Sequence, residues 1–140
     1  MCAHACCHCS YDTFCALPHL RAAGAGRIVN VSSRGAYRGE PQVPAYGASK
    51  AGLNALGQSL ALALAGDGIA VSTVAPGFVE TDMSNADLKA PRGAEIRAQS
   101  PFSRVAQPAE VAAAVLYLAS AEAEWASGAV LDLNGASYLR

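Results

Sequence analysis

Apolar residues recur along this chain in two periods, and the alternation between them predicts its elements. Arg27 to Ser33 reads Arg-Ile-Val-Asn-Val-Ser-Ser, a β-branched run bounded by glycine, as in a short strand buried within a sheet. Ile69 to Ala75 is a second such run, entered from the Asp67-Gly68 turn and halted by Pro76-Gly77. Val130 to Leu133 is a third, ending at Asn134-Gly135. Between the first two the period lengthens. From about Ala45 to Ala65, Leu53, Leu56, Leu60 and Leu64 fall on one stripe of a long helix, and Gly47, Ala48, Gly52 and Gly57 permit close approach of another backbone. Phe14, Leu17 and Leu20 predict the end of an earlier helix, bent at Pro18 and ended by Gly24 and Gly26. Pro108 fits the first turn of a later helix, in which Val111, Val115 and Leu118 repeat at helical spacing. Arg34 to Pro44 reads as loop, and Thr81 to Arg104, polar and broken by Pro91, Gly93 and Pro101, predicts a mobile excursion with some helix.

Strand and helix in alternation imply parallel strands joined by right-handed crossovers, a doubly wound α/β pattern. Ligands of such sheets sit at the carboxyl ends of the strands. Ser33 and Pro76-Gly77 both occupy such ends and are expected to face one crevice.

The length of 140 residues predicts one domain with a modest core. Hydrophobic residues make up 52% of it, a figure inflated by alanine and suited to helices packed closely on a sheet. The net charge is −1 and the ten lysines and arginines are scattered, so neither a nucleic acid nor a membrane partner is expected. Apolar residues from Leu60 to Ala65 are too few to span a bilayer, no secretory signal is evident, and a cytoplasmic location is expected. All five cysteines precede residue 16, with His4 and His8 among them. Cys2, Cys6, Cys7, Cys9 and Cys15 do not form paired Cys-x-x-Cys ligand sets, and no downstream cluster would complete a tetrahedral shell, so no metal is expected.

Tyr46 and Lys50 fall in the first turns of the long helix, four residues apart and thirteen beyond Ser33. Helix positions four apart share a face about 5–6 Å apart, so the lysine reaches the tyrosine from the next turn. A carbonyl receiving hydride develops negative charge on oxygen and needs a proton donor with a second donor to hold it. A phenol is a poor acid near neutrality, and a neighbouring ammonium favours its phenolate. Tyr46, Lys50 and Ser33 supply those three parts. A bare Tyr-x-x-x-Lys pair also decorates solvated helix faces, and a serine after a strand is often a turn residue, so the weight rests on their common position at one sheet edge.

The runs Gly26-Arg-Ile-Val-Asn-Val-Ser-Ser33, Tyr46-Gly-Ala-Ser-Lys50-Ala-Gly and Val74-Ala-Pro-Gly-Phe-Val-Glu-Thr-Asp-Met83 closely resemble the short-chain dehydrogenase/reductase family, particularly 3-oxoacyl-carrier-protein reductases. Pro108-Ala-Glu-Val-Ala and Ser127-Gly-Ala-Val resemble its closing segments, and the match covers nearly everything from Leu17 onward. The resemblance implies an NAD- or NADP-dependent oxidoreductase interconverting a small-molecule ketone and a secondary alcohol. In it Tyr46 is the proton donor or acceptor, Ser33 orients the carbonyl, and Lys50 acidifies the tyrosine and bonds the nicotinamide ribose. Tyr46, Lys50, Pro76, Gly77, Val79 and Thr81 then meet the cofactor. It implies a homo-oligomer in the intact family form, with the small-residue surface of Gly52, Ala55 and Gly57 as one association surface. Trp125 either lines the substrate pocket or simply packs.

The family's Gly-x-x-x-Gly-x-Gly phosphate loop and its Asn-Asn-Ala-Gly segment have no counterpart in these residues. The residue that selects NAD or NADP belongs to the same half, and the family's catalytic asparagine would fall near Ala5. The chain therefore reads as a single partial Rossmann-like domain, residues 1–140, the C-terminal half of a doubly wound sheet with three strands and their crossover helices. Residues 1–12 are an atypical Cys/His-rich start and 13–140 the family-like portion. A truncated chain of impaired activity is expected, or else a noncatalytic remnant that associates with a full-length subunit.

Overall fold

The computed structural model describes the backbone from residue 2 and side chains from residue 11, through to Arg140. The side chains around Ala5, where the family's asparagine would fall, among them those of Cys2, His4, Cys6, Cys7, His8 and Cys9, lie outside the described residues. Cys15 is a free, exposed thiol.

Helix α1 runs over Cys2–Ala23 with Pro18 inside it, and strand β1 over Gly26–Val31. Helix α2 follows over Pro44–Leu64 and strand β2 over Ile69–Pro76. Three helices, α3 (Asp82–Lys89), α4 (Gly93–Ala98) and α5 (Pro108–Leu118), precede strand β3 (Val130–Leu133). The sheet has the order β1-β2-β3 and is parallel throughout, with Val31 opposite Val74 and Val74 opposite Leu131. This is the expected partial α/β sheet.

β2 is central, and every one of its eight residues is buried. Its alternation divides the core between the two faces of the sheet. Ile69 and Val71 pack with Leu17 of α1 and Ala61 and Leu64 of α2, whereas Val74 packs with Leu118 of α5 and Ala123. The β1 edge away from β2 has no strand partner among the described residues.

Several boundaries differ from the sequence reading. β1 ends at Val31 rather than Ser33, because Ser33 leaves the ladder to begin a 3-10 turn over Arg34–Ala36. Pro44 is not loop but opens α2, where its missing N–H costs nothing. The buried stripe of α2 is Leu53, Asn54, Gly57, Ala61 and Leu64, with Leu56 and Leu60 only partly covered. The stripe centres on Gly57 because Asn30 and Thr73 reach across from the strands and leave no room for a larger residue there. Gly57 is thus not part of an outer small-residue surface, while Gly52 and Ala55 are exposed. Residues 81–104 hold two defined helices, α3 and α4. Trp125 is 99% exposed and neither lines a pocket nor packs.

Candidate active site

The carboxyl ends of β1 and β2 set the site. Ser33 has an extended backbone (φ −161°, ψ 153°), and its Oγ accepts the Gly35 N–H at 3.0 Å. That bond uses an oxygen lone pair, so the hydroxyl proton stays available to a ligand oxygen. Tyr46 lies in the first turn of α2 with 37% of its surface exposed. Both side chains border Gly35: a Cβ placed there would stand 3.4 Å from Ser33 Oγ and 3.7 Å from Tyr46 Cε1. Gly47, the next residue on α2, has the Gly35 carbonyl oxygen 2.8 Å from where its own Cβ would be. The helix start and the serine loop can touch only because that position carries no side chain.

Lys50 completes the group. Its Nζ lies 5.7 Å from the centre of the Tyr46 ring, within reach of a cation–π contact, and donates to the Val31 carbonyl at 2.8 Å. The remaining two N–H donors have no partner among the described residues. Ser32 Oγ donates to the Lys50 carbonyl at 3.2 Å, tying α2 to β1 beside the ammonium. Ser33, Tyr46 and Lys50 are therefore brought together, as their spacing predicts.

The other residues named from the sequence lie along the end of β2. Pro76 closes the strand, and Gly77 N donates to the Leu133 carbonyl at 3.1 Å. A Cβ on Gly77 would press against Asn134 Cα at 3.1 Å. Val79 forms an isolated parallel bridge with Ala106. Thr81 starts α3, its backbone N–H bonded to Ser84 Oγ at 3.1 Å, and its side chain is exposed. These four continue from the Ser33 end of the sheet toward α3, without touching the three clustered side chains in any described contact.

Two features of the site escaped the sequence reading. One is the Val31 carbonyl as the anchor of Lys50, which no side-chain pattern reveals. The other is Arg34, the residue after Ser33, which is only 4% exposed. Its guanidinium donates to Gln99 Oε1 at 2.9 Å and Ser137 Oγ at 2.8 Å, and meets Glu40 Oε1 at 3.3 Å.

A family model described as enoyl-(acyl carrier protein) reductase matches residues 6–135. The chain belongs to the short-chain dehydrogenase/reductase family. It is 43% identical over 114 residues to a 3-oxoacyl-[acyl-carrier-protein] reductase of Vibrio cholerae, covering 81% of this chain and 46% of that protein. Over 120 residues it is also 43% identical to the cis-4-hydroxycyclohexanecarboxylate dehydrogenase of Sinomonas cyclohexanicum, covering 86% and 48%. Among solved structures, a 3-oxoacyl-[acyl-carrier protein] reductase of Brucella melitensis superposes with a TM-score of 0.85 at 34% identity, covering 93% of this chain and 49% of that one. An NADP-bound protein of Agrobacterium tumefaciens, provisionally assigned as a 2-deoxy-D-gluconate 3-dehydrogenase, gives 0.84 at 34% identity, covering 89% and 52%. The chain spans about half the length of these relatives. Among the described residues no helix is long and apolar enough to cross a membrane.

Proposed function

We propose that this chain carries the proton-transfer half of an NAD- or NADP-dependent oxidoreductase that interconverts a small-molecule ketone and a secondary alcohol. The observation behind this reading is the convergence of Ser33, Tyr46 and Lys50 at the end of β1. When bound, the nicotinamide supplies or accepts the hydride. Ser33 holds the substrate oxygen with its free hydroxyl proton. Tyr46 gives its phenolic proton to that oxygen in reduction and takes it back in oxidation. Lys50 places a positive charge beside the phenol and offers two unengaged N–H donors, a donor set suited to the hydroxyls of a ribose. Pro76, Gly77, Val79 and Thr81 would border the nicotinamide end. Relatives named for a 3-oxoacyl group and for a hydroxycyclohexanecarboxylate support the same interconversion of oxidised and reduced carbon. A cytoplasmic setting and a homo-oligomeric intact form belong to this reading.

Activity of these 140 residues alone is expected to be low, because the residues assigned to the cofactor lie only at its nicotinamide end. A second reading is favoured by the open edge of β1: a noncatalytic chain that associates with a full-length relative. Titration with NADPH and with NADH, followed by nicotinamide fluorescence, separates the two. Saturable binding is expected for the oxidoreductase. A folded sample that binds neither nucleotide would sink autonomous catalysis and leave the associating chain as the better account.

A further inference from the structure

A cleft of about 240 Å³ opens beside the site, between the segment after β2, helix α4 and the chain that follows β3. Arg34 joins it to the chemistry, since its backbone follows Ser33 while its buried guanidinium lines the cleft. An arginine carries five N–H donors, and the three hydrogen bonds of Arg34 leave two unengaged. Arg38 donates to the same Gln99 Oε1 at 3.1 Å, so two guanidinium groups converge on one neutral oxygen. One carboxylate, Glu40, stands 3.3 Å from Arg34. Burial, and then Arg38, hold the Arg34 guanidinium below its usual value, with Glu40 opposing them. With Arg34 paired to Glu40, the second guanidinium, Arg38, leaves one positive charge in excess at this end of the cleft, which favours an incoming anion.

The rest of the cleft carries no opposing net charge. Arg104 on the far rim is already held bidentate by Glu110, at 2.7 and 2.8 Å, so that pair neither cancels nor adds to the charge of Arg34. Ser137 Oγ accepts from Arg34, and its own proton has no acceptor among the described residues. Phe78, whose ring centre is 5.5 Å from Arg34 Cζ, lines the cleft together with Ile96 and Phe102, apolar surface suited to the carbon chain of an acid.

We infer that the substrate bears a carboxylate, held by Arg34 and Ser137 in the cleft that the chain joins to Ser33, with its carbonyl or carbinol presented to Ser33 and Tyr46. This rests on the oxidoreductase reading for the reacting end, while the acid-binding end stands on the cleft itself. The test is calorimetric titration of the full chain with 4-oxopentanoate and with 2-pentanone, its uncharged counterpart. The acid is expected to bind saturably and at least about tenfold more tightly, and Ser137→Ala to weaken it about tenfold without affecting the neutral ketone. Arg34→Gln should erase the preference. Should that variant fail to fold by circular dichroism, Ser137→Ala decides alone. Equal affinity for the two ketones, absence of saturation in a folded sample, or an undiminished preference in Ser137→Ala would overturn the inference. Tyr46→Phe should retain the preference for the acid. A chain that distinguishes the two ketones yet never transfers hydride would sink autonomous catalysis and leave acid recognition standing.

Discussion

The two walls of the site are built differently. One, formed by α2, β1 and β2, is sheet and helix with a fully buried central strand, and it carries Tyr46 and Lys50. The other, residues 78–106, is two short helices and turns whose Met83, Phe102 and Arg104 are exposed. The proposed proton transfer needs groups fixed to within a fraction of an ångström, which the first wall supplies. Recognition varies with the ligand, and segments at a sheet end that vary in shape and length suit it.

That contrast makes the first wall sensitive and the second tolerant. Ile69→Ala, which empties space between β2 and the pair α1 and α2, should cost about 2–5 kcal/mol, read from urea denaturation. Phe102→Ala on the second wall should stay within about 0.5 kcal/mol of the parent, and comparable losses would erase the distinction. Gly47→Ala should cost about 1–3 kcal/mol, because its Cβ meets the backbone oxygen of Gly35 and one of the two segments must move. An unchanged denaturation midpoint would mean that the serine loop is not seated on the helix.

A gain is expected at Asn54. The residue is 5% exposed, and its side-chain oxygen and nitrogen are buried without a protein partner, as is Asn30 Nδ2. Asn54→Leu, which keeps the branching of the side chain while replacing its polar atoms by bulkier methyls, should raise stability by about 1 kcal/mol. A loss instead would show that buried water satisfies the amide.

The smallest effect concerns the rim of the second wall. The Arg104 side chain, followed by the Gln107 N–H, holds the Glu110 carboxyl down to about 2. A lowered folded value means that the pair's stabilising contribution is complete above the ordinary carboxylate value near 4.5 and fades as pH falls toward about 2. The stability difference between the parent and Glu110→Gln should therefore shrink across that window. A difference that grew on acidification would contradict the assignment.

Elements whose signal is local were legible in the sequence. Val130 to Leu133 is strand as read, Pro108 opens α5, and the four-residue spacing of Tyr46 and Lys50 puts both on one side of α2. What was missed depends on distant partners. Arg34 sits in a run of glycine and proline that reads as exposed loop, yet Gln99 and Ser137, 65 and 103 residues away, draw it inside. Asn54 is polar and adjoins the leucine stripe, but the small Gly57 and Ala61 turn its face of the helix inward. Trp125 shows the converse: an aromatic residue suited to a core is left in solvent by a 3-10 turn over Ala121–Ala126.

The placement of the proton donor is tested most directly by isotope transfer. The chain is incubated with NADPH carrying deuterium at both C4 positions and with 4-oxopentanoate, and the hydroxy acid is weighed by mass spectrometry. One deuterium per product is predicted for the parent, and Tyr46→Phe, folded as the parent is, should form that product at least about a hundredfold more slowly. Deuterated product appearing equally fast from both proteins would contradict the assignment of Tyr46.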